Sequence, residues 1–194
     1  PPMYDRHCYK LSPDEINKLT EGYESAGKHP VVRFLIPEGQ TTIHDLIYGD
    51  ITYRHSVLDD QVILKSDGFP TYHLAVVVDD HHMKISHVIR GEEWIPSTPK
   101  HILLYQALKW QPTEFAHLPL ILNPDKSKLS KRQGDVSVED FLAKGYLPGA
   151  LLNFVAFLGW NPKTEKEIFS LDELISQFDL AKINKSGSVF DMNK

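Results

Sequence analysis

A chain of 194 residues with 41% hydrophobic and 24% charged side chains can bury a core, and it has neither the charge bias nor the low complexity of a disordered chain. Its formal charge of −5 and isoelectric point near 6.1 argue against a uniformly basic nucleic-acid binder, although net charge conceals local patches. One cysteine, Cys8, excludes an internal disulfide framework and suits a reducing compartment; no uninterrupted apolar run is long enough for a bilayer, and the opening "PPMYDRHCYK" lacks the apolar stretch of a signal peptide. The opening without methionine and the ending on "SVFDMNK" in mid-pattern lead us to expect a fragment of something longer.

Residues 12–15, Ser-Pro-Asp-Glu, form a capping-box pattern, with Ser12 as cap, Pro13 in the first turn and Glu15 reaching back. They predict a helix to about Ser25, stopped at Gly27. The runs "VVRFLI", "TTIHDLI", "DITYRH" and "QVILKSDG" are β-branched and broken by Pro-Glu-Gly and Gly-Asp turns, which predicts a small α+β module. Beyond "SDGFPTYHLA" the elements alternate. "YHLAVVVDDHHM" predicts a helix with a narrow stripe of Leu74, Val77 and Val78, and "ISHVIRG" a short strand. "STPKHILLYQALKW" predicts a helix in which Ser97 and Thr98 compete for the cap and Pro99 lies in the first turn. Ile102, Leu103, Gln106 and Leu108 give it a helical period with one polar break. "FAHLPLIL" reads as a strand, so strand, helix and strand make a βαβ unit and imply a parallel sheet. "SVEDFLAKGYLPGALLNFVAFLGW" reads as two helices hinged at Gly145–Gly149, and "SLDELISQF" as a further capped helix. There is no internal repeat.

Between them lies "NPDKSKLSKRQGD", residues 123–135, where Lys126, Lys128, Lys131 and Arg132 fall within seven residues. A loop at the carboxyl end of a parallel strand is where open α/β sheets bind ligands. Lysines there can neutralise polyphosphate, and Ser130 can donate to a phosphate oxygen. On charge alone a solvated basic turn is the commoner reading. Pro124 and Gly134 bracket the segment, which leads us to expect a mobile loop after a fixed strand. Arg90 alone reads more readily as a surface arginine ending a strand, and Tyr72 and Trp94 as core aromatics. Asp79, Asp80, His81 and His82 are adjacent on a helix, so their side chains diverge and no metal is expected there.

The order Lys-Leu-Ser-Lys-Arg at 128–132 resembles the KMSKS signature of class I aminoacyl-tRNA synthetases, with Leu129 in place of methionine. "SDGFPTYHLAVVVDDHHMKISHVIRGEEWIPSTPKHILLYQAL" and "FAHLPLILNPDKSKLSKRQGDVSVEDF" resemble the second half of the catalytic domain of the glutamyl-tRNA synthetase family, of bacterial or organellar type. "LPGALLNFVAFLGW" and "KSGSVFD" resemble the helical region that follows. The resemblance covers nearly the whole chain. It implies an α/β fold. Residues 1–66 would be an α+β connective insert that handles the tRNA acceptor end. Residues 67–134 would be the second half of a Rossmann-type catalytic domain, and residues 135–194 a helical stem-contact region.

The resemblance also implies roles at matching positions. Tyr72, Val76 and Arg90 would contact glutamate, Arg90 through a bidentate grip on a carboxylate. Val76 stands where some relatives have asparagine and others valine. Glu93, Trp94, Leu120 and Ile121 would surround the adenosine of ATP, with Leu120 and Ile121 offering backbone groups to adenine. Lys128, Ser130 and Lys131 would act on the triphosphate, which Mg²⁺ accompanies. Cys8 matches the downstream cysteine of a zinc site found in some relatives, but the upstream Cys-x-Cys pair is absent and Lys10 stands where histidine can occur, so no zinc is expected. The sequence contains neither the HIGH motif nor an anticodon-binding domain. The implied reaction is ligation of L-glutamate to tRNA(Glu) through glutamyl-adenylate, by a longer enzyme of which this part alone would be inactive. That enzyme would be a monomer with no membrane association, in the cytoplasm, or in an organellar matrix in a eukaryote. Two alternatives stay open: the paralogue that loads glutamate onto a modified tRNA base, and a non-catalytic RNA-binding module derived from a synthetase. Also open is whether glutamine tRNA is charged as well as glutamate tRNA.

Overall fold

The computed structural model describes residues 3–129 and 137–191. The chain divides into two compact units that alternate along the sequence. The first comprises Pro1–Ile43, Asp50–His87 and Pro96–Thr113; the second comprises His44–Gly49, Val88–Ile95 and Glu114–Lys194.

In the first unit, α1 (Pro13–Ser25) has the expected capping box: Ser12 Oγ accepts from the Glu15 amide, and the Glu15 carboxylate accepts from the Ser12 amide at 2.9 Å. Gly27, at φ +67°, ends it. The run "VVRFLI" yields only a two-residue strand, β1 (Val32–Arg33), antiparallel to β4 (Val62–Leu64). The reason is local. The Ile36 amide donates to the Asp60 carboxylate at 2.8 Å, so it has no ladder partner to seek. β2 (Gln40–Asp45) and β3 (Gly49–Arg54) are neighbours. α2 (Tyr72–His82) and α3 (Thr98–Ala107) pack around Val77, Leu104 and Tyr105.

The structure corrects two details of α3. Its apolar contact is not a stripe: Thr98, Pro99 and His101 through Tyr105 are all buried, whereas Gln106 and Leu108 are exposed. Nor does Ser97 cap it. A 3-10 turn over Glu92–Ser97 runs into the helix and holds Ser97 at φ −89°, ψ −21°, where its side chain makes no capping bond.

In the second unit, Asp45 at the end of β2 pairs in parallel with Phe115 of β6 (Glu114–Leu118), and β6 lies beside β5 (His87–Gly91). The single strand expected over "FAHLPLIL" is two. β6 ends before Pro119, which has no amide to donate. β7 (Ile121–Leu122) instead pairs in parallel with β8 (Ser188–Val189). Gly187 permits this approach, because a Cβ there would lie 2.7 Å from the Leu120 carbonyl oxygen. α4 (Val138–Ala143) carries its own capping box between Ser137 and Asp140. Gly145, at φ +86°, turns the chain toward α5 (Pro148–Phe157); Gly149 lies inside α5, so the expected hinge reduces to Gly145. α6 (Leu171–Gln177) is capped by Ser170 and Glu173. One core gathers Phe141, Leu158 and Phe190, a second Trp160, Phe169 and Leu174. No helix among the described residues is long and apolar enough to cross a membrane.

Candidate active site

The basic segment starts as a hairpin. Past β7, the Asp125 carboxylate accepts from the Ser127 hydroxyl at 2.6 Å and from its amide at 2.8 Å, the side-chain mimicry of a turn that aspartate favours. Those bonds hold the Asp125 carboxyl below its ordinary range. Lys126 adopts φ +67°, and its amide donates to the Asn123 carbonyl. The Leu129 amide donates to the Ile121 carbonyl at 2.9 Å, and the Leu129 side chain packs on the Phe141, Leu158 and Phe190 cluster. Within the segment expected to be mobile between Pro124 and Gly134, residues 123–129 make backbone bonds, and Leu129 packs on an apolar cluster. Ser130 and Lys131, with Arg132, lie outside the described residues.

The hairpin aims Lys128 at a carboxylate. Its ammonium lies 2.6 Å from Glu93 Oε1, and both side chains are solvent-accessible. The Lys128 bond holds the Glu93 carboxyl below its ordinary range. Gly91 leaves room for Glu93 to fold back; a Cβ there would overlap the Glu93 carboxylate. The neighbouring Glu92 turns elsewhere. It accepts the Tyr48 hydroxyl and, at 3.2 Å, the Leu120 amide. Burial, reinforced by Glu92, pushes the Tyr48 phenol well above its usual range. Two adjacent carboxylates thus have separate duties, one buttressing the backbone at Leu120 and one holding a lysine.

Arg90 sits at the end of a buried chain. Asp45, on β2, is fully buried; its Oδ1 accepts from the Ile47 amide at 3.0 Å and the Tyr48 amide at 2.9 Å. Its Oδ2 lies 3.1 Å from the His117 amide and 2.6 Å from His117 Nδ1. Arg90 Nε in turn donates to His117 Nε2 at 3.1 Å. The carboxylate accepts and the guanidinium donates, so Nδ1 carries the histidine proton and Nε2 is bare. Burial, aided by the Arg90 charge and opposed by Asp45, lowers the His117 pKa and keeps the ring neutral. The Arg90 guanidinium lies 5.6 Å from the ring centres of both Trp94 and Phe115, within cation–π range.

The structure thus brings Arg90 to Trp94, Glu93 to Lys128, and Ile121 to Leu129. The Leu120 amide and the Ile121 carbonyl, two of the backbone groups expected to meet adenine, are occupied within the protein. Tyr72 and Val76 belong to the first unit. Tyr72 is half exposed, with its ring edge-on to His73 and His101, and Val76 packs on the Val77, Leu104 and Tyr105 core. Within "DDHH", His81 stacks on Trp110 with ring centres 3.9 Å apart. No three His, Cys, Asp or Glu side chains among the described residues are grouped to hold a metal. The sequence reading missed Asp45, Tyr48, Glu92 and His117. A signal existed for one of them: His117 stands in a strand between the apolar Ala116 and Leu118.

These groups lie in a chain that matches the catalytic domain of class I aminoacyl-tRNA synthetases. The family model for tRNA synthetases class I (E and Q), catalytic domain, matches residues 1–194, and the chain belongs to that family. It is 53% identical over 192 residues to a glutamate–tRNA ligase from Alkaliphilus metalliredigens, covering 98% of this chain and 38% of the relative. A glutamate–tRNA ligase from Chloroherpeton thalassium is 60% identical over 172 residues, covering 87% of this chain and 34% of the relative. The crystal structure of glutamate–tRNA synthetase from Elizabethkingia anophelis superimposes with a TM-score of 0.78 at 38% identity, over 94% of this chain and 47% of that one. The chain therefore spans little more than a third of the curated relatives it matches.

Proposed function

We propose that the chain forms part of the catalytic region of a glutamate–tRNA ligase, which activates L-glutamate with ATP and transfers it to tRNA(Glu). The observation that carries this reading is Arg90, fixed at Nε by a buried histidine in a chain of this family. A guanidinium held in one orientation suits bidentate binding of a carboxylate. Arg90 binds a carboxylate of glutamate, and the resemblance assigns Tyr72 and Val76 to the same amino acid. Glu93, Trp94, Leu120 and Ile121 serve the adenosine. Lys128, Ser130 and Lys131 stabilise the departing pyrophosphate, with Mg²⁺ arriving as part of the nucleotide substrate. Residues 1–66 handle the acceptor end of tRNA, residues 67–134 belong to the nucleotide-binding fold, and residues 135–194 contact the stem. The enzyme works as a monomer in the cytoplasm.

The test is Arg90→Ala in a full-length ligase carrying this sequence. Losing one partner of a charge-assisted pair costs about 2–4 kcal/mol, so kcat/KM for glutamate falls roughly 30- to 1,000-fold. Arg90→Lys also fails to restore it, because an ammonium cannot reproduce the planar fork. Unchanged glutamate kinetics in both variants would make Arg90 structural and refute the reading.

A further inference from the structure

We propose that His117, held by Asp45, is a positioning residue for amino-acid recognition: it sets the direction of the Arg90 guanidinium and so tunes affinity for the carboxylate of the amino-acid substrate. The inference rests on the reading of Arg90 given above.

Three observations carry it. First, the ring is locked at both nitrogens, by Asp45 Oδ2 at 2.6 Å and by Arg90 Nε at 3.1 Å. Second, its anchor is itself locked. Asp45 also accepts the amides of Ile47, Tyr48 and His117, so neither the carboxylate nor the ring can turn without breaking several bonds. Both side chains are completely buried. Third, Phe115 lies parallel to the His117 ring, with planes 12° apart, and also packs against the guanidinium. Arg90 has one acceptor at Nε and an aromatic ring on each of two contacts, which defines the plane of its fork.

The chemistry of the chain is directional. A neutral ring with its proton on Nδ1 presents a lone pair to Arg90. A doubly protonated ring would present an N–H to an N–H, beside a second positive charge, and would release the guanidinium. The groups facing His117 are Asp45 from β2 and Arg90 from β5, with Glu93 adding a weaker negative field. Asp45 and Arg90 lie within hydrogen-bond distance of it. Precise placement of the fork matters because a bidentate pair loses most of its advantage when one of its two bonds is misaligned.

The test uses full-length ligase and ATP–pyrophosphate exchange with cognate tRNA present, reading the KM of glutamate and of ATP separately. His117→Leu removes the acceptor while keeping an apolar bulk; it raises the glutamate KM about tenfold and leaves the ATP KM unchanged. His117→Gln, which carries both a donor and an acceptor, keeps the glutamate KM within about threefold of the parent. Placed on an Arg90→Ala background, His117→Leu adds nothing further to the glutamate KM, because it acts only through the missing guanidinium. Equal rises in both KM values, or full additivity of the two substitutions, would make His117 a general structural residue and overturn the proposal. An unchanged glutamate KM in His117→Leu would overturn it too. Failure of the Arg90 reading shows differently, as an Arg90→Ala enzyme with normal glutamate kinetics whatever the state of His117.

Discussion

Four N–H groups point at the carboxylate of Asp45: the amides of Ile47, Tyr48 and His117, and the His117 ring. Every one is a donor, so the position demands a pure acceptor. Asparagine would turn its amide toward one pair of donors or the other, leaving buried N–H groups opposed. Asp45→Asn therefore destabilises the chain by about 3 kcal/mol, read as a lower urea midpoint, while Asp125→Asn in the exposed turn leaves the midpoint nearly unchanged. A midpoint for Asp45→Asn equal to that of the parent would contradict the placement. His117 adds a pH dependence whose sign is fixed. Its pKa is lowered in the folded state, so the unfolded chain takes up a proton first. Its contribution to stability is whole above the ordinary histidine value of about 6.5 and is lost as pH falls below it toward the folded value. Urea unfolding at pH 7.5 and 5.5 should show a loss that His117→Gln reduces; an equal loss in both proteins would place the acid sensitivity elsewhere. The contact between them was not legible in the sequence, because a histidine and an aspartate 72 residues apart meet only through the β2–β6 pairing. Arg90, Glu93, Trp94 and Lys128 were legible because they sit in local motifs.

At the scale of elements, punctuation was read well and pairing was not. The Ser12 and Ser170 boxes, the stop at Gly27 and the turn at Gly145 rest on bonds within four residues, and sequence spacing suffices for those. The split of "FAHLPLIL" into two strands depends on β8, some 66 residues beyond β7, and no local pattern announces that partner. Two glycines separate the cases experimentally. Gly187→Ala places a Cβ 2.7 Å from the Leu120 carbonyl and 2.9 Å from a Leu122 methyl, so β7 and β8 must part and stability falls by about 1–3 kcal/mol. Gly149→Ala meets nothing within 4 Å on the first turn of α5 and stabilises by about 0.5 kcal/mol. Denaturant midpoints decide both. A neutral Gly187→Ala would show that β7 and β8 are not packed this closely.

For the whole molecule, the division of labour follows from which residues share a unit. The second unit holds Arg90, Glu93, Trp94, Leu120, Ile121 and Lys128. On the proposed reading, the triphosphate is also held by a HIGH motif, which this sequence does not contain. The isolated chain is thus expected to give no glutamate-dependent exchange, and robust turnover by it would contradict that division. Lys131→Ala in full-length ligase should slow adenylate formation by about 10²–10³-fold while leaving tRNA affinity nearly unchanged, since a cation on departing pyrophosphate acts where charge develops. Normal activation with weakened, salt-flattened tRNA binding would instead assign that lysine to RNA phosphates. Recognition of glutamate through Arg90 in the full-length ligase is the proposal on which the other roles depend. Its most direct test is ATP–pyrophosphate exchange by the full-length ligase with cognate tRNA, run against glutamate, glutamine and aspartate, in parent and Arg90→Ala enzymes. Exchange is expected with glutamate alone, at least 30-fold weaker in kcat/KM after Arg90→Ala; exchange that favours another amino acid, or that ignores Arg90, would overturn the proposal.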